Sequence, residues 1–232
     1  MSLNDPASVA AEYASEQGLL DRRAAYRHAE GPYAPALAVE AVLEGRPRRV
    51  LEVGCGPGEA AAAIQAAGVE VQAIDSSERM VELARERGVD ARVADVQELP
   101  FEDASFDCAL AAWMLYHVPD VERAVSELAR VLQADGRLVA VTNRREHLQE
   151  LARLVDDWPE SSFDDVNGPP LLRRHFGKME ERDVGGWIDF PDRGAVVAYV
   201  DASRQLFSGG LRLDAEVPLR VRRAPVIYVA TR

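Results

Sequence analysis

Residues 49–67 read RVLEVGCGPGEAAAAIQAA, and this stretch decides the fold. Residues 50–53 form a short apolar run, which is typical of strands that are buried on both faces. The glycines at 54, 56 and 58 end the strand, because glycine permits the positive φ angles of a tight turn. In the alanine-rich helix that follows, the first free N–H groups face any anionic group in the turn. The stretch therefore predicts a strand, a glycine turn and a helix, which either bind a ligand or form a tight connection without one.

The residues that follow the glycines narrow the choice of ligand. A dinucleotide fingerprint requires G-x-G-x-x-G, and Gly54 and Gly56 supply its first two glycines. Its third position holds Glu59, an acid that would repel a diphosphate, so the NAD interpretation is weakened. A phosphate-binding loop of the ATP type requires a lysine followed by serine or threonine. Neither follows these glycines, which excludes that kind of ATP site.

Three acidic residues, Glu52, Asp75 and Asp95, lie at the carboxyl ends of predicted strands, roughly 20 residues apart. In a doubly wound sheet these ends line one crevice, where ligands bind. Asp75 can accept hydrogen bonds from both hydroxyls of a ribose. Asp95 can accept one from the exocyclic amine of an adenine, whose ring the N–H of Val96 can reach. Each acid alone is more often a helix cap or a turn former, so the prediction depends on all three together.

Three motifs carry a resemblance to a known family. They are E-x-G-x-G-x-G at residues 52–58, D-x-x-x-L-P-F-x-D-x-S-F-D at 95–107, and a variant of L-x-P-G-G at 132–136. Residues 50–143 thus resemble class I S-adenosylmethionine-dependent methyltransferases, in particular those of ubiquinone and menaquinone biosynthesis. The resemblance implies an α/β fold with a doubly wound, mainly parallel sheet of seven strands, the last one antiparallel, and N-terminal helices that cover the cofactor.

The resemblance also implies a cofactor, S-adenosylmethionine, and a product, S-adenosylhomocysteine. Backbone N–H groups of the turn suit the cofactor's carboxylate, and an acid such as Glu52 suits its positive end. The implied cofactor-binding residues are Glu52, Gly54, Cys55, Gly56, Asp75, Ser76, Met80, Asp95, Val96 and Ala111. His117 is the candidate general base for in-line methyl transfer, and the alternative is a loop histidine that only packs or caps.

The chain is expected to form a single domain, 1–232. It divides into N-terminal helices at 1–45, a cofactor-binding core at 46–143, and a substrate-side insertion with the final strands at 144–232. Within the last part we predict a sixth strand over 179–190 with a bulge at 185–186, a helix over 192–206, and a terminal hairpin or bulged strand over 217–231. The polar loop and apolar cluster at 157–176 suggest a cover over the ligand, or a plain surface connection.

Composition limits the possible partners. The net charge of −12 argues against an extended nucleic acid partner, so a small-molecule acceptor is expected. Four arginine pairs are dispersed along the chain, and a pair near the site could bind an acidic substrate: Arg22–Arg23, Arg144–Arg145, Arg173–Arg174 and Arg222–Arg223.

Other partners and locations are not expected. The four histidines and two cysteines show no metal-ligand spacing, so no metal is predicted. No apolar run is long enough to span a membrane and no signal peptide is evident, so a cytoplasmic location is expected and no membrane partner. The alternative functions are a non-catalytic S-adenosylmethionine-binding paralogue and, less favoured, a nucleotide-dependent oxidoreductase. The oligomeric state stays open.

Overall fold

The structure is a computed structural model that describes residues 3–203, 210, 212 and 216–232. Its elements follow in chain order, with two short 3-10 turns, Tyr26–His28 and Leu115–His117, left unlabelled. They are α1 Pro6–Glu12, α2 Gln17–Ala25, β1 Ala29–Glu30, α3 Ala34–Glu44, β2 Arg49–Val53, α4 Glu59–Ala66, β3 Glu70–Asp75, α5 Glu78–Glu86, β4 Ala91–Val93, β5 Phe106–Ala112, α6 Val121–Val131, β6 Leu132–Asn143, α7 Gln149–Ala152, α8 Gly168–His175, β7 Lys178–Asp183, β8 Gly186–Phe190, α9 Arg193–Asp201, β9 Leu219–Arg223 and β10 Pro225–Thr231.

The main sheet has seven strands in the order β4-β3-β2-β5-β6-β10-β7. Strands β2 to β6 are parallel to one another, and β10 is antiparallel to both of its neighbours, β6 and β7. One face packs against α6 and α8, and the other packs against α3, α4 and α5. This confirms the predicted doubly wound, mainly parallel sheet of seven strands with an antiparallel last strand.

The prediction for residues 179–190 is wrong in one respect, because this segment forms two strands in two sheets. Strand β7 lies at the edge of the main sheet, while β8 is the central strand of a small antiparallel sheet, β1-β8-β9. The chain changes sheets at the two glycines. A Cβ on Gly186 would overlap the carbonyl oxygen of Glu30 in the paired strand β1, so only glycine fits there.

Of the two alternatives predicted over 217–231, the terminal hairpin does not form, and the single bulged strand is wrong in that the chain changes sheets within it. Strand β9 pairs with β8 in the small sheet, whereas β10 lies between β6 and β7 in the main sheet, and Ala224 alone separates the two strands. The helix predicted over 192–206 is α9, which begins after its N-cap residue Asp192 and ends at Asp201. Residues 204–206 lie outside the described part of the chain.

Much of the segment 157–176 is packed into the domain, while its first part lines the cavity described below. Phe163 and Leu172 are fully buried in the main core, and the hydroxyl of Thr142 donates a hydrogen bond of 2.6 Å to the carbonyl oxygen of Phe163. Only a few residues of the segment reach the cavity described below: Trp158, Pro159, Glu160, Ser161, Asp164 and Asn167.

The N-terminal helices α1 and α2 cover the carboxyl edge of the main sheet. The Ser77 hydroxyl donates to the carbonyl oxygen of Tyr13 at 2.7 Å. Ion pairs join Arg79 to Glu16 at 3.1 Å and Arg23 to Glu59 at 2.6 Å. The helices are thus attached to α4 and α5 by polar contacts.

Within the described residues, none of the helices has the length and apolar character that crossing a membrane requires.

Candidate functional site

A cavity of about 2000 Å³ lies at the carboxyl ends of the parallel strands, beneath α1 and α2. It extends from the glycine turn to the small sheet, where Tyr26 and Arg223 form part of its wall. Pockets for a single small ligand usually measure about 300–1,000 Å³. The cavity therefore has room for two ligands side by side.

The glycine turn forms one end of the cavity. Gly54, Gly56 and Gly58 have φ angles of +62°, +52° and +79°, which are left-handed values that other residues rarely adopt. A Cβ on Gly54 would lie 2.6 Å from the Cβ of Met114, while one on Gly56 would meet nothing within 4 Å. The turn therefore requires glycine for its conformation and leaves open space at Gly56 for a ligand.

Glu52 lies behind this turn, in β2. Its side chain is buried, and its Oε2 has no hydrogen-bond partner among the described residues. Burial raises the pKa of Glu52 to about 8, and the nearby carboxylates of Asp75 and Glu59 add to the effect. A buried acceptor without a partner is costly, so this oxygen is suited to a donor that a ligand brings.

Asp75, the last residue of β3, also lines the cavity. Its Oδ2 accepts a hydrogen bond of 2.8 Å from the N–H of Gly56, and its Oδ1 accepts one of 2.9 Å from the N–H of Ser77. Burial raises the pKa of Asp75, and these backbone N–H groups oppose the rise. Each carboxylate oxygen has two lone pairs, so both oxygens can still accept a hydroxyl donor.

Asp95 and Val96 line the cavity two residues beyond the end of β4. Both Asp95 oxygens accept hydrogen bonds from the side-chain amide of Gln97, at 3.0 and 2.9 Å, and Oδ1 also accepts from its backbone N–H at 2.8 Å. The Asp95 carboxylate is exposed, and its Oδ2 has a lone pair left for a donor from a ligand.

The other predicted cofactor-binding residues divide into two groups. Cys55 and Ser76 line the cavity, and burial raises the pKa of the Cys55 thiol. Met80 and Ala111 are fully buried and lie outside the lining. Successive residues of a strand face opposite sides of the sheet, so it is Ala112 that reaches the cavity.

His117, the candidate base, lies in the 3-10 turn after β5 and has both ring nitrogens engaged. Its Nδ1 is 2.8 Å from the carbonyl oxygen of Leu3, and its Nε2 is 3.0 Å from the hydroxyl of Tyr13. A carbonyl oxygen only accepts, so Nδ1 carries the proton and Nε2 accepts from Tyr13. Burial lowers the pKa of His117 to about 4, so the ring is neutral at pH 7.

The lowered pKa of His117 predicts a loss of stability in acid. As the pH falls from 6.5 towards 4, the unfolded chain binds a proton at His117 before the folded protein does. This should cost the folded protein up to about 3 kcal/mol. In His117→Gln the free energy of unfolding should therefore fall less steeply over this range, as measured by urea unfolding at a series of pH values. Equal slopes in both proteins would contradict the assignment.

Several cavity residues come from parts of the sequence that no motif marked. His147 and Tyr199 line the cavity, as do Tyr13 and Tyr26 from the N-terminal part of the chain. Arg223, from one of the four arginine pairs, lines it as well. Among the described residues, no group of three potential ligands is placed to hold a metal ion.

The fold and this cavity define a protein of the Rossmann-like class with a large cavity beside a glycine turn. The family model described as "Methyltransferase domain" matches residues 51–140. An uncharacterized methyltransferase of Mycobacterium tuberculosis is 32% identical over 201 residues, which are 86% of this chain and 82% of the relative. The chain therefore belongs to the S-adenosylmethionine-dependent methyltransferase family, as its motifs predicted.

A further relative agrees with this assignment, and a solved structure agrees with the fold. The demethylmenaquinone methyltransferase of Thermotoga maritima is 38% identical over 156 residues, 66% of this chain and 58% of the relative. The crystal structure of the YcgJ protein of Bacillus subtilis superposes with a TM-score of 0.64 at 21% identity, covering 86% of this chain and 98% of that one. In the first three curated relatives the matched segments span only 31%, 36% and 58% of the relative's length.

Proposed function

We propose that this chain binds S-adenosylmethionine at the glycine turn and catalyses transfer of its methyl group to a small-molecule acceptor. The observation that supports this best is the buried Oε2 of Glu52, which lacks a partner beside a turn with open space at Gly56. An amino acid ammonium group carries a positive charge and three N–H donors, which is what a buried carboxylate in this position requires.

The proposed binding mode assigns one part of the cofactor to each group of residues. Glu52 would hold the ammonium group, the N–H groups of the turn the carboxylate, and Asp75 the two ribose hydroxyls. Asp95 and the N–H of Val96 would hold the adenine. Because Asp75 already accepts from Gly56 and Ser77, it would connect the ribose to the turn and to the start of α5.

The bound cofactor supplies a methyl group that positive sulfur has already activated. The protein therefore has to align the acceptor in line with the breaking bond and exclude water. Helices α1 and α2 would exclude the water, because they lie across the carboxyl edge. His117 can act as the general base only if the Tyr13 hydroxyl gives up its Nε2 to the acceptor. For a nucleophile that needs no base, we therefore assign the hydrogen-bonded pair Tyr13–His117 a positioning role and not a catalytic one.

A small organic acceptor fits the same cavity. The cavity is covered by α1 and α2, and the net charge of −12 opposes an extended phosphate backbone. The Thermotoga maritima relative is named for demethylmenaquinone, a small organic acceptor. That name is a guide to the class of acceptor and not to its identity.

The test of the proposed function is ligand binding. Calorimetry should show micromolar binding of S-adenosylmethionine and S-adenosylhomocysteine and no binding of NAD or ATP, because Glu59 follows the glycines and no P-loop lysine is present. Each ligand is titrated against the same protein sample, with adenosine as the control for adenine and ribose recognition alone. Binding of NAD without binding of either adenosyl ligand would overturn the proposal.

A further inference from the structure

Six arginines line the cavity, and five of them are already neutralised by carboxylates. The pairs are Arg22 with Glu12, Arg23 with Glu59 at 2.6 Å, Arg79 with Glu16 at 3.1 Å, Arg144 with Glu181 at 2.6 Å and Arg145 with Asp164 at 2.8 Å. Arg223 differs from these five. Across the described residues, we find no carboxylate group within 4.0 Å of its guanidinium group.

Arg223 is also deeply buried, with 4% of its surface exposed. Its terminal nitrogen Nη2 donates to the carbonyl oxygens of Pro32 at 2.8 Å and Glu30 at 3.4 Å, and its Nε has no partner among the described residues. Its guanidinium carbon lies 5.9 Å from the centre of the Tyr26 ring. A buried charge without a counter-ion is unfavourable, so an anion in the cavity would relieve a cost that the folded protein bears.

The neighbouring residue Arg222 shows the contrast on the same strand. Its side chain is 44% exposed and forms an ion pair of 3.0 Å with Glu146. Because successive side chains of β9 point to opposite faces, Arg222 lies at the surface and Arg223 in the interior. Arg222 is thus a matched control for Arg223, because it has the same charge and lies in the same strand.

His147 supplies a second donor beside Arg223. Its Nδ1 accepts a hydrogen bond of 3.0 Å from the N–H of Ala224, so in the neutral ring the proton lies on Nε2. Burial and the charge of Arg223 lower the pKa of His147 to about 3, so the ring is neutral at pH 7. No described residue accepts a hydrogen bond from this Nε2–H, and His147 lines the cavity.

These donors lie at the same edge of the main sheet as the glycine turn. Pro225, two residues after Arg223, is paired with Asn143 at the end of β6. The side-chain oxygen of Asn143 accepts a hydrogen bond of 3.2 Å from the indole N–H of Trp113, which directly follows β5. Arg223 and His147 thus lie beyond the carboxyl ends of β5 and β6, beside the cofactor half of the cavity but separate from Glu52 and Asp75.

From this geometry we propose that Arg223 and His147 bind a carboxylate of the methyl acceptor. A carboxylate offers two acceptor oxygens and one negative charge, which match one guanidinium group and one neutral N–H donor. The rest of this subsite is apolar and aromatic, with Tyr26, Trp158 and Tyr199 among its lining residues. The acceptor class is therefore an aromatic or long aliphatic acid. The identification of this acid as the methyl acceptor rests on the proposed function. The binding of a carboxylate at Arg223 and His147 does not.

The first experiment compares acids with their primary amides. Wild-type protein is titrated with benzoate, cinnamate, 2-naphthoate, 4-phenylbutyrate and decanoate, and with the five matching amides, in the presence and absence of S-adenosylhomocysteine. At least one acid should bind roughly tenfold or more tightly than its amide, because the charged hydrogen bonds are lost in the amide. Equal affinity for acid and amide in every pair overturns the proposal.

The second experiment assigns the preference to one side chain. Arg223→Gln should reduce the preference for the acid to less than about threefold, whereas Arg222→Gln should retain it, although both variants lose one positive charge. Both variants should bind S-adenosylhomocysteine like the wild type, because neither residue contacts the cofactor half. An unchanged preference in Arg223→Gln contradicts the assignment.

A structural role of Arg223 does not weaken this test. Arg223 also donates to the carbonyl oxygens of Glu30 and Pro32, and Arg223→Gln loses both contacts, which puts its folding at risk. If the variant does not fold, crystals of the wild-type protein soaked with 4-bromobenzoate locate the acid from the anomalous signal of bromine, and a carboxylate elsewhere than at Arg223 overturns the proposal. If wild-type protein binds no adenosyl ligand but still prefers acids, the proposed function fails and the anion subsite stands.

Discussion

Asp75→Ala should weaken the binding of S-adenosylhomocysteine by about 1.5–3 kcal/mol, roughly 10- to 150-fold in Kd. This is the range for hydrogen bonds to a charged group, and the proposed binding mode gives the Asp75 carboxylate both ribose hydroxyls. The substitution also removes the acceptor of the Gly56 and Ser77 N–H groups, which loosens the turn around the ligand. Calorimetry at one pH and ionic strength measures the effect.

Two further variants make this measurement specific. Asp75→Asn keeps the shape but loses the charge and one acceptor oxygen, so its Kd should lie between those of the wild type and Asp75→Ala. Asp103→Ala removes an exposed aspartate that only pairs with Arg130, and it should leave the Kd unchanged. The assignment is wrong if Asp75→Ala binds as tightly as Asp103→Ala.

Glu52→Gln should stabilise the ligand-free protein at alkaline pH. Because the pKa of Glu52 is about 8 in the folded protein and 4.5 in the reference state, the folded protein keeps a proton that the unfolded chain has lost. The free energy of unfolding of the wild type therefore falls as the pH rises from 4.5 to 8, by up to about 4–5 kcal/mol from this residue.

Glutamine does not titrate, so the two proteins should be about equally stable near pH 4 and diverge as the pH rises to 8. Urea unfolding at a series of pH values measures this difference, and the values near pH 4 serve as the internal control. A constant difference at all pH values would show that Glu52 does not hold its proton in the folded protein.

In the presence of S-adenosylhomocysteine the order of stability of the two proteins reverses, because Glu52→Gln lacks the negative charge that the ligand's ammonium group requires. Calorimetry in buffers of different ionisation enthalpy should detect release of a proton when the wild type binds it at pH 7.

The part of the fold that the sequence predicts well is the parallel core. Between residues 49 and 143 most strands are short apolar runs that a helix follows after a turn, and β4 is the exception because it leads to β5 without a helix. Spacing therefore singled out the glycine turn and the acids Glu52, Asp75 and Asp95 as candidates, and the structure places all of them in the lining of one cavity. Right-handed crossovers between such units place helices on both faces of the sheet, whereas the order of the strands comes from the structure.

The rest of the fold depends on pairing between distant residues. Residues 179–190 look like one bulged strand, because sequence periodicity does not show that the chain changes sheets at Gly185 and Gly186. The small sheet pairs β8 with β1 from near the start of the chain, so no local pattern reports it. The position of Ala111 depends on which face of β5 it occupies, which an error of one residue reverses, and the position of Met80 depends on which side of α5 packs against the sheet.

Arg223 shows the same limit on what can be predicted from the sequence. The pair Arg222–Arg223 was visible among four similar pairs, and a pair near the site was expected to suit an acidic substrate. Three of the four pairs contribute arginines to the cavity wall, and which of these arginines lacks a carboxylate partner depends on how the chain folds around the cavity. The contrast between Arg222 and Arg223 appears only once every partner of each guanidinium group has been placed.

Ala224 has a mechanical consequence. Because this single residue joins β9 to β10, and β10 is hydrogen-bonded on both sides, the wall that carries Arg223 cannot swing relative to the main sheet. Helices α1 and α2 are not paired to a strand in this way, since ion pairs and single hydrogen bonds attach them to α4, to α5, to the end of α9 and to the turn after β5. We therefore expect ligands to enter and leave the cavity on the N-terminal side, where these contacts can open.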